Sequence, residues 1–236
     1  MSPAYPVRLD ANIDSTTSRW LWIFKWLLLI PQFLVLIVLS IGLFFSWIGA
    51  FFAILFTGSY PRPLFDYNVG FLRWTWRVSF YFTGTFATDR YPPFSLEEQP
   101  EFPAHLDVAY PEHLNRWLVL VKWLLAIPHL IIVGLLVGGS SAGAAQHATW
   151  AFRSSGGLIS ILALVAVVIL AFSGNYPRGL FDLLMGLNRW VYRVWAYVML
   201  MTDEYPPFRL DSGSNDPGTA PNPPPTTTPM TPRDLP

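Results

Sequence analysis

Any fold open to this chain must accommodate one stretch twice. The first copy reads Phe56-Thr57-Gly58-Ser59-Tyr60-Pro61-Arg62-Pro63-Leu64-Phe65-Asp66 and continues to Arg73-Trp74-Thr75-Trp76-Arg77-Val78. The second reads Phe172-Ser173-Gly174-Asn175-Tyr176-Pro177-Arg178-Gly179-Leu180-Phe181-Asp182 and continues to Arg189-Trp190-Val191-Tyr192-Arg193-Val194, every match 116 positions further on. One module is duplicated, so each structural device it contains should occur in two chemically similar versions.

A long apolar run precedes each copy. Residues 20–56 are interrupted only by Lys25, Pro31, Gln32, Ser40 and Ser46 among small and apolar residues. As helix this run would measure about 55 Å at 1.5 Å per residue, against a hydrocarbon core of about 30 Å. Charged residues make up 13% of the chain and hydrophobic ones 53%, whereas a soluble domain carries about 25% charge. The composition therefore points to a membrane. The net charge is zero and no basic run occurs, so the field that gathers nucleic acid is missing. With no cysteine, disulfides, thiolate metal sites and cysteine nucleophiles are excluded. Residues 1–14 lack the charged-then-apolar pattern of a cleaved signal peptide, so the first apolar run is expected to stay in the mature protein.

The second copy suggests where the run divides. Arg19-Trp20, Lys25-Trp26 and Ile30-Pro31 recur 97 positions on, as Arg116-Trp117, Lys122-Trp123 and Ile127-Pro128. By Phe172 the spacing is 116, so nineteen residues have been inserted, and the polar, small-residue stretch 138–157 is the evident insert. Its removal aligns the junction with Ser40-Ile41-Gly42. Insertions survive in exposed loops and not in lipid-facing helix, which predicts a turn there and a helical hairpin in each copy, 20–39 with 42–57 and 117–137 with 158–172. Pro31 and Pro128 each predict a kink.

A third segment follows each Tyr-Pro-Arg turn, 66–87 and 182–201. An arginine at the centre of a span costs about 2.5–3.5 kcal/mol, so a segment carrying two is better placed in the interface, with tryptophans at headgroup level. Each copy closes on a rigid extended turn, Tyr91-Pro92-Pro93-Phe94 or Tyr205-Pro206-Pro207-Phe208. Residues 1–96 thus form a first membrane module and 97–210 a second. The Pro/Thr-rich stretch 211–236 reads as a disordered tail. Alternating apolar positions across Tyr5-Pro6-Val7-Arg8-Leu9-Asp10 suggest a short strand. The expected fold is an all-α membrane protein, two tandem repeats of a helical hairpin plus an aromatic, arginine-bearing interfacial helix, with short extended Tyr-Pro segments.

Charge sidedness orients it. With two crossings per module, Arg8, Lys25, Arg62, Arg73, Arg90, Arg116, Lys122 and Arg178 fall on one side, which the positive-inside rule makes cytoplasmic, together with both termini. Three crossings per module would give six in all and inverted repeats, a transporter arrangement, and would put Arg90, Arg116 and Lys122 outside.

The motifs offer one candidate binding site. Asp66, Gly70, Arg73, Arg77 and Tyr81 project within roughly 80° of one another on a helix, as do Asp182, Gly186, Arg189, Arg193 and Tyr197. A cationic strip of this kind could grip a lipid phosphate or another anion through forked hydrogen bonds. The structural alternative, which weighs more, is that the arginines anchor the helix at the headgroups or pair with these aspartates across the two copies, with the aspartate favouring the helix N-terminus. Gly139-Ser140-Ser141-Ala142-Gly143 matches a nucleophile-elbow pattern with His147 nearby, but it lies in a low-complexity loop without the strand–turn–helix context such an elbow requires. His105, His113, His129 and His147 show no metal-ligand spacing, and a hydrogen bond between helices is the expected use of His129. No metal, cofactor or enzymatic activity is expected.

The motifs Tyr-Pro-Arg-x-Leu-Phe-Asp, Arg-Trp-x-(Trp/Tyr)-Arg-Val and Tyr-Pro-Pro-Phe-x-Leu, preceded by Arg-Trp-Leu and Lys-Trp-Leu-Leu-x-Ile-Pro, resemble domain of unknown function 4389, a family of bacterial membrane proteins, here in tandem over residues 5–96 and 102–210. The resemblance implies a membrane location and brings no established activity and no site residues; the expected setting is the bacterial inner membrane, crossed several times. The reading is a non-enzymatic membrane component organising lipid or partner proteins at the cytoplasmic face, the alternative being a small six-crossing transporter.

Overall fold

The computed structural model describes residues 5–14, 18, 21–138 and 157–216. They are mostly helical, in the order β1 (Val7–Ala11), α1 (Trp22–Leu28), α2 (Ile30–Thr57), α3 (Arg62–Val78), β2 (Ala104–Val108), α4 (Leu118–Val137), α5 (Leu158–Ser173) and α6 (Arg178–Val198). α2 and α4 are long and apolar enough to cross a membrane.

The hairpin expected in the first copy does not form. α2 runs unbroken through Ser40-Ile41-Gly42, about 42 Å for its 28 residues. Gly42 makes room here instead of a turn: a Cβ would run into the Tyr67 hydroxyl, which donates to the Leu39 carbonyl at 2.7 Å. The first rod breaks at Leu29, and Pro31 falls in the first turn of α2, where its missing N–H leaves no bond unmade. Pro128, by contrast, lies inside α4.

In the second copy, Gly157 sits against the backbone of Leu136, Val137 and Gly138, so α5 takes up where α4 stops. Val137 and Ile159 line the same cavity as Ser40 and Leu43, their counterparts on the continuous α2. We read α4 and α5 as a second rod, interrupted where the insert leaves it. Most of the insert lies outside the described residues. Both rods end on a glycine in the left-handed region, Gly58 and Gly174, each with φ of 74°, a conformation that a side chain strains.

α3 and α6 pack along the rods. Each starts four residues earlier than expected because Pro61 and Pro177 hold extended N-cap positions. A π-helical turn, Ser79–Thr83, follows α3, where the first copy has two more residues before its Thr-Asp exit than the second. Beyond α3 and α6 lies a two-stranded antiparallel sheet that pairs Val7 with Val108, Leu9 with Leu106 and Ala11 with Ala104. The strand expected near residues 5–10 is present, and its partner is its own counterpart, since Pro6-Val7-Arg8-Leu9-Asp10 matches Pro103-Ala104-His105-Leu106-Asp107 at the 97-residue spacing. Leu9 and Leu106 therefore face each other as equivalents. So do Trp76 and Tyr192, whose rings meet edge-on at 5.5 Å.

The halves are interlocked. Tyr60 donates to the Met199 carbonyl at 3.3 Å, and Tyr176 donates to the Thr85 carbonyl. Each Tyr-Pro-Arg turn thus holds the exit of the other copy. Lys25 donates to the Thr88 carbonyl at 2.6 Å and Lys122 to the Thr202 carbonyl at 2.8 Å, so each exit is also held by the start of its own rod. Between these grips, Phe86 and Leu200 adopt positive φ, 56° and 65°, at a cost of about 1–2 kcal/mol each.

The stretch expected to be a disordered tail is ordered at its start. Asp211 and Asp216 are ion-paired to Arg193 at 2.6 and 3.0 Å, and the Ser214 carbonyl accepts from Ala11 N at 3.1 Å. Low apolar content misled the sequence reading, because these residues are held by charge and backbone pairing. Residues 217–236 lie outside the described residues.

Because the strands and tyrosines are exchanged, a chain cut between Gln99 and Pro100 is expected to reassemble. Co-expressed pieces with a tag on one should co-purify in detergent, and either piece alone should aggregate.

Candidate functional site

The strip read from the sequence lies on α3 and α6, and its members go to three different places. Asp66 is 64% exposed, with Arg62 Nε at 3.8 Å. It sits past the first turn of α3, so it does not meet the helix N-terminus as expected. Asp182 is half-buried, and its carbonyl accepts from Gly213 N at 3.3 Å.

Two of the four arginines bond to the strands of the sheet. Arg73 Nε donates to the Leu106 carbonyl at 2.9 Å, and Arg189 Nε donates to the Leu9 carbonyl at 2.8 Å. These are the two residues that face each other across the sheet, and each arginine reaches the strand of the other copy. The strand aspartates follow the same pattern, with Arg73 Nη2 at 2.9 Å from Asp107 and Arg189 Nη2 at 4.0 Å from Asp10. Arg77 donates to the carbonyls of Ser95 and Glu97. Arg193 is ion-paired to Asp211 and Asp216 and lies 5.4 Å from the Tyr5 ring. Arg77, Arg189 and Arg193 are buried, at 2%, 1% and 1% exposure.

Burial pushes the Arg189 guanidinium below its ordinary range, with Asp216 and Asp10 drawing it back. Burial likewise pushes the Asp216 carboxyl up, against the pull of Arg193 and Arg189. Opposing shifts of this kind mark an internal ion-pair network whose desolvation is only partly offset. The glycines on the strip serve it too. A Cβ at Gly70 would lie 2.8 Å from the Leu96 carbonyl, and one at Gly186 would lie 3.0 Å from Leu210, so each lets an exit chain close over its helix.

The tyrosines meet the lysines. The Lys25 ammonium stands 4.7 Å from the Tyr81 ring centre and that of Lys122 stands 5.3 Å from Tyr197. Each ammonium also pairs with the exit carboxylate, Lys25 with Asp89 at 3.0 Å and Lys122 with Asp203 at 2.6 Å. An ammonium so enclosed by a ring, a carbonyl and a carboxylate is a structural cation.

Farther along the rods, Gln32 donates to the Pro92 carbonyl at 2.6 Å and accepts from Trp74 Nε1 at 2.7 Å. His129 takes the matching place, accepting from Trp190 Nε1 at 3.1 Å and stacking on Phe208. The hydrogen bond between helices expected of His129 is therefore present. His105 pairs with Glu98 at 2.7 Å on the sheet surface.

One groove remains beside the strip. It is lined by Arg62, Asp66, Arg73, Glu97, Asp107 and Tyr110 among others. Three carboxylates against two guanidiniums make it a poor seat for phosphate. Sequence reasoning missed the strand exchange and the lysine–exit contacts. The repeated Pro-x-x-Leu-Asp was the signal for the first, and Lys-Trp paired with Thr-Asp was the signal for the second.

The family model for a domain of unknown function, DUF4389, matches residues 19–95 and 149–209, more than half the chain and narrower than the motif reading. No curated protein and no solved structure matches it.

Two outcomes follow. Compared with a chain ending at Asp216, one ending at Leu210 removes Asp211 and Asp216 from two buried guanidiniums and should be less stable by about 3–5 kcal/mol, as read from thermal unfolding in detergent. Arg73→Leu combined with Arg77→Leu should lower the unfolding midpoint while the folded fraction still floats with anionic vesicles. Lost flotation at an unchanged midpoint would return the strip to the role of a lipid-binding site.

Proposed function

The chain belongs to the family of domain of unknown function 4389, and from that premise we propose that it is a non-enzymatic integral membrane component that organises lipid or partner proteins at the cytoplasmic face. The observation that carries this reading is the separation of its two surfaces. Large exposed apolar residues concentrate on the rods, among them Leu34, Phe45 and Phe56 on the first and Ile131, Leu135 and Phe172 on the second, all more than 60% exposed. A core helix of a soluble protein would bury them. Exposed charge gathers at the rod ends and on the sheet side, as with Arg62, Asp66, Arg90 and Asp107.

The rods best fit the bilayer lying within one leaflet. Lys25, at the start of the first rod, and Tyr176, just past the end of the second, bind the same exit at Thr88 and Thr85. Lys122 and Tyr60 do likewise at Thr202 and Met199. Each rod therefore begins where the other ends, and the sheet lies between, over their middles. Upright rods would sink that sheet into hydrocarbon with Asp107 67% exposed, at several kcal/mol. Rods lying flat leave the sheet and both exits in water, on the cytoplasmic side by the positive-inside rule. The interior cations are committed to carbonyls and carboxylates of the chain itself, which favours a structural role over catalysis. A six-crossing transporter would need a polar path at the midplane, and the cavity between the rods is apolar.

The absence of native cysteine makes the test direct. Single cysteines at Ser59 and Ser95 should react with an impermeant maleimide only from the cytoplasmic side, and one at Ser40 from neither. Reaction of Ser40→Cys from outside would mean that the rods turn across the membrane. Reaction of Ser95→Cys from outside would favour the transporter.

A further inference from the structure

We propose that the cavity between the two rods is a binding site for an acyl chain of a membrane phospholipid. The proposal rests on the membrane reading above and adds an internal ligand to it. The cavity, about 520 Å³ in volume, is bounded by α2, α3, α6 and the junction of α4 with α5. Phe71, Leu72, Thr75 and Val78 line it from the face of α3 opposite the one that carries Arg73 to the sheet and Arg77 to the exit chain. Thr75 and Val191, counterparts in the two copies, both contribute to the wall.

The chemistry of the wall selects the ligand. Four of its polar side chains are turned back on the chain. Ser40 Oγ donates to the Ile37 carbonyl at 2.6 Å, and Thr75 Oγ1 donates to the Phe71 carbonyl at 2.8 Å. Asn188 Nδ2 donates to the Leu184 carbonyl at 2.8 Å and Thr83 Oγ1 to Ser79 Oγ at 3.3 Å. Apart from the Ser160 and Tyr192 hydroxyls, the remaining wall is mostly hydrocarbon and aromatic, so a ligand is held chiefly by apolar contact and a strongly polar one would be desolvated for little return. The rim fixes the source. Phe33, at 43% exposure, and Val137, at 52%, belong both to the cavity lining and to the outer apolar surface of the rods. A chain can therefore enter from the leaflet without leaving hydrocarbon. The phospholipid is the most abundant carrier of such a chain where this surface lies.

The full-length protein in vesicles made from a phospholipid with a diazirine in one acyl chain should give, on irradiation, adducts at Thr75, Val191 and Tyr192 as well as at the outer residues Phe44 and Phe45. Val191→Trp, which fills the cavity, should cut the adducts at Thr75 about tenfold, the equivalent of 1.4 kcal/mol of lost apolar contact, and leave those at Phe44 and Phe45 unchanged. Adducts on the outer residues alone, or cavity adducts that survive Val191→Trp, would overturn the cavity site and leave the membrane reading standing. No adducts anywhere would overturn both. A parallel arm supplies a diazirine fatty acid in unlabelled vesicles, and cavity adducts from the free acid alone would replace the phospholipid by a soluble ligand.

Discussion

The fold depends on two arginines that each hold the other half's strand. A sheet of two five-residue strands is marginal by itself, and here Arg73 and Arg189 fix it by donating to the carbonyls of Leu106 and Leu9, the residues at its centre. Hydrogen bonds from a guanidinium are stronger than neutral ones, and those of Arg189 form where water is excluded. The cost is a cation in each half, fully buried at Arg189 and half-buried at Arg73, that must keep its partners. That cost explains why Asp107 stands beside Arg73, and why Asp10 and Asp216 stand beside Arg189.

In the membrane setting proposed for the rods, exchange also answers a problem specific to hydrocarbon. Apolar helices gain little from packing on one another when lipid is as apolar as their side chains, so polar contacts and close approach must hold them. The rods are tied down that way, by Lys25 and Lys122 at their starts, by Gln32 and His129 farther along, and through the tyrosines that follow them. Each partner is a backbone carbonyl or an aromatic side chain of an exit or of α3 and α6. The Tyr-Pro-Pro-Phe turns are therefore docking straps, and their prolines keep the carbonyls in an extended line that a rod can reach.

Much of this was legible in the sequence, and the failures have physical causes. The duplication, the apolar rods, the helices after the Tyr-Pro-Arg turns and a short strand near residue 7 follow from spacing and periodicity. The hairpin failed because tolerance to insertion identifies a surface position, and a lipid-facing helix can present one without turning; a left-handed glycine marks the rod ends at Gly58 and Gly174, and Gly42 lacks that geometry. The arginine strip was placed on the correct helices but assigned to a ligand, because helical periodicity says which residues share a face and not what covers it. The cover was Pro-Val-Arg-Leu-Asp and its repeat, a pattern too short to stand out until its two occurrences are seen to pair.

The two halves are not equal, and the differences fall where they do least harm to the exchange. Nineteen extra residues leave the second rod at its middle, by the cavity, far from the lysine and tyrosine contacts at its ends. The first copy has two additional residues between Tyr81 and Thr88, and the π-helical turn Ser79–Thr83 runs into that stretch, as such turns often do where a helix takes in an extra residue. Thr88 still reaches Lys25, and Phe86 keeps the positive φ of its counterpart Leu200. A strained backbone preserved on both sides of a length change indicates that the exit geometry is held by the interlock, with the local sequence free to drift around it.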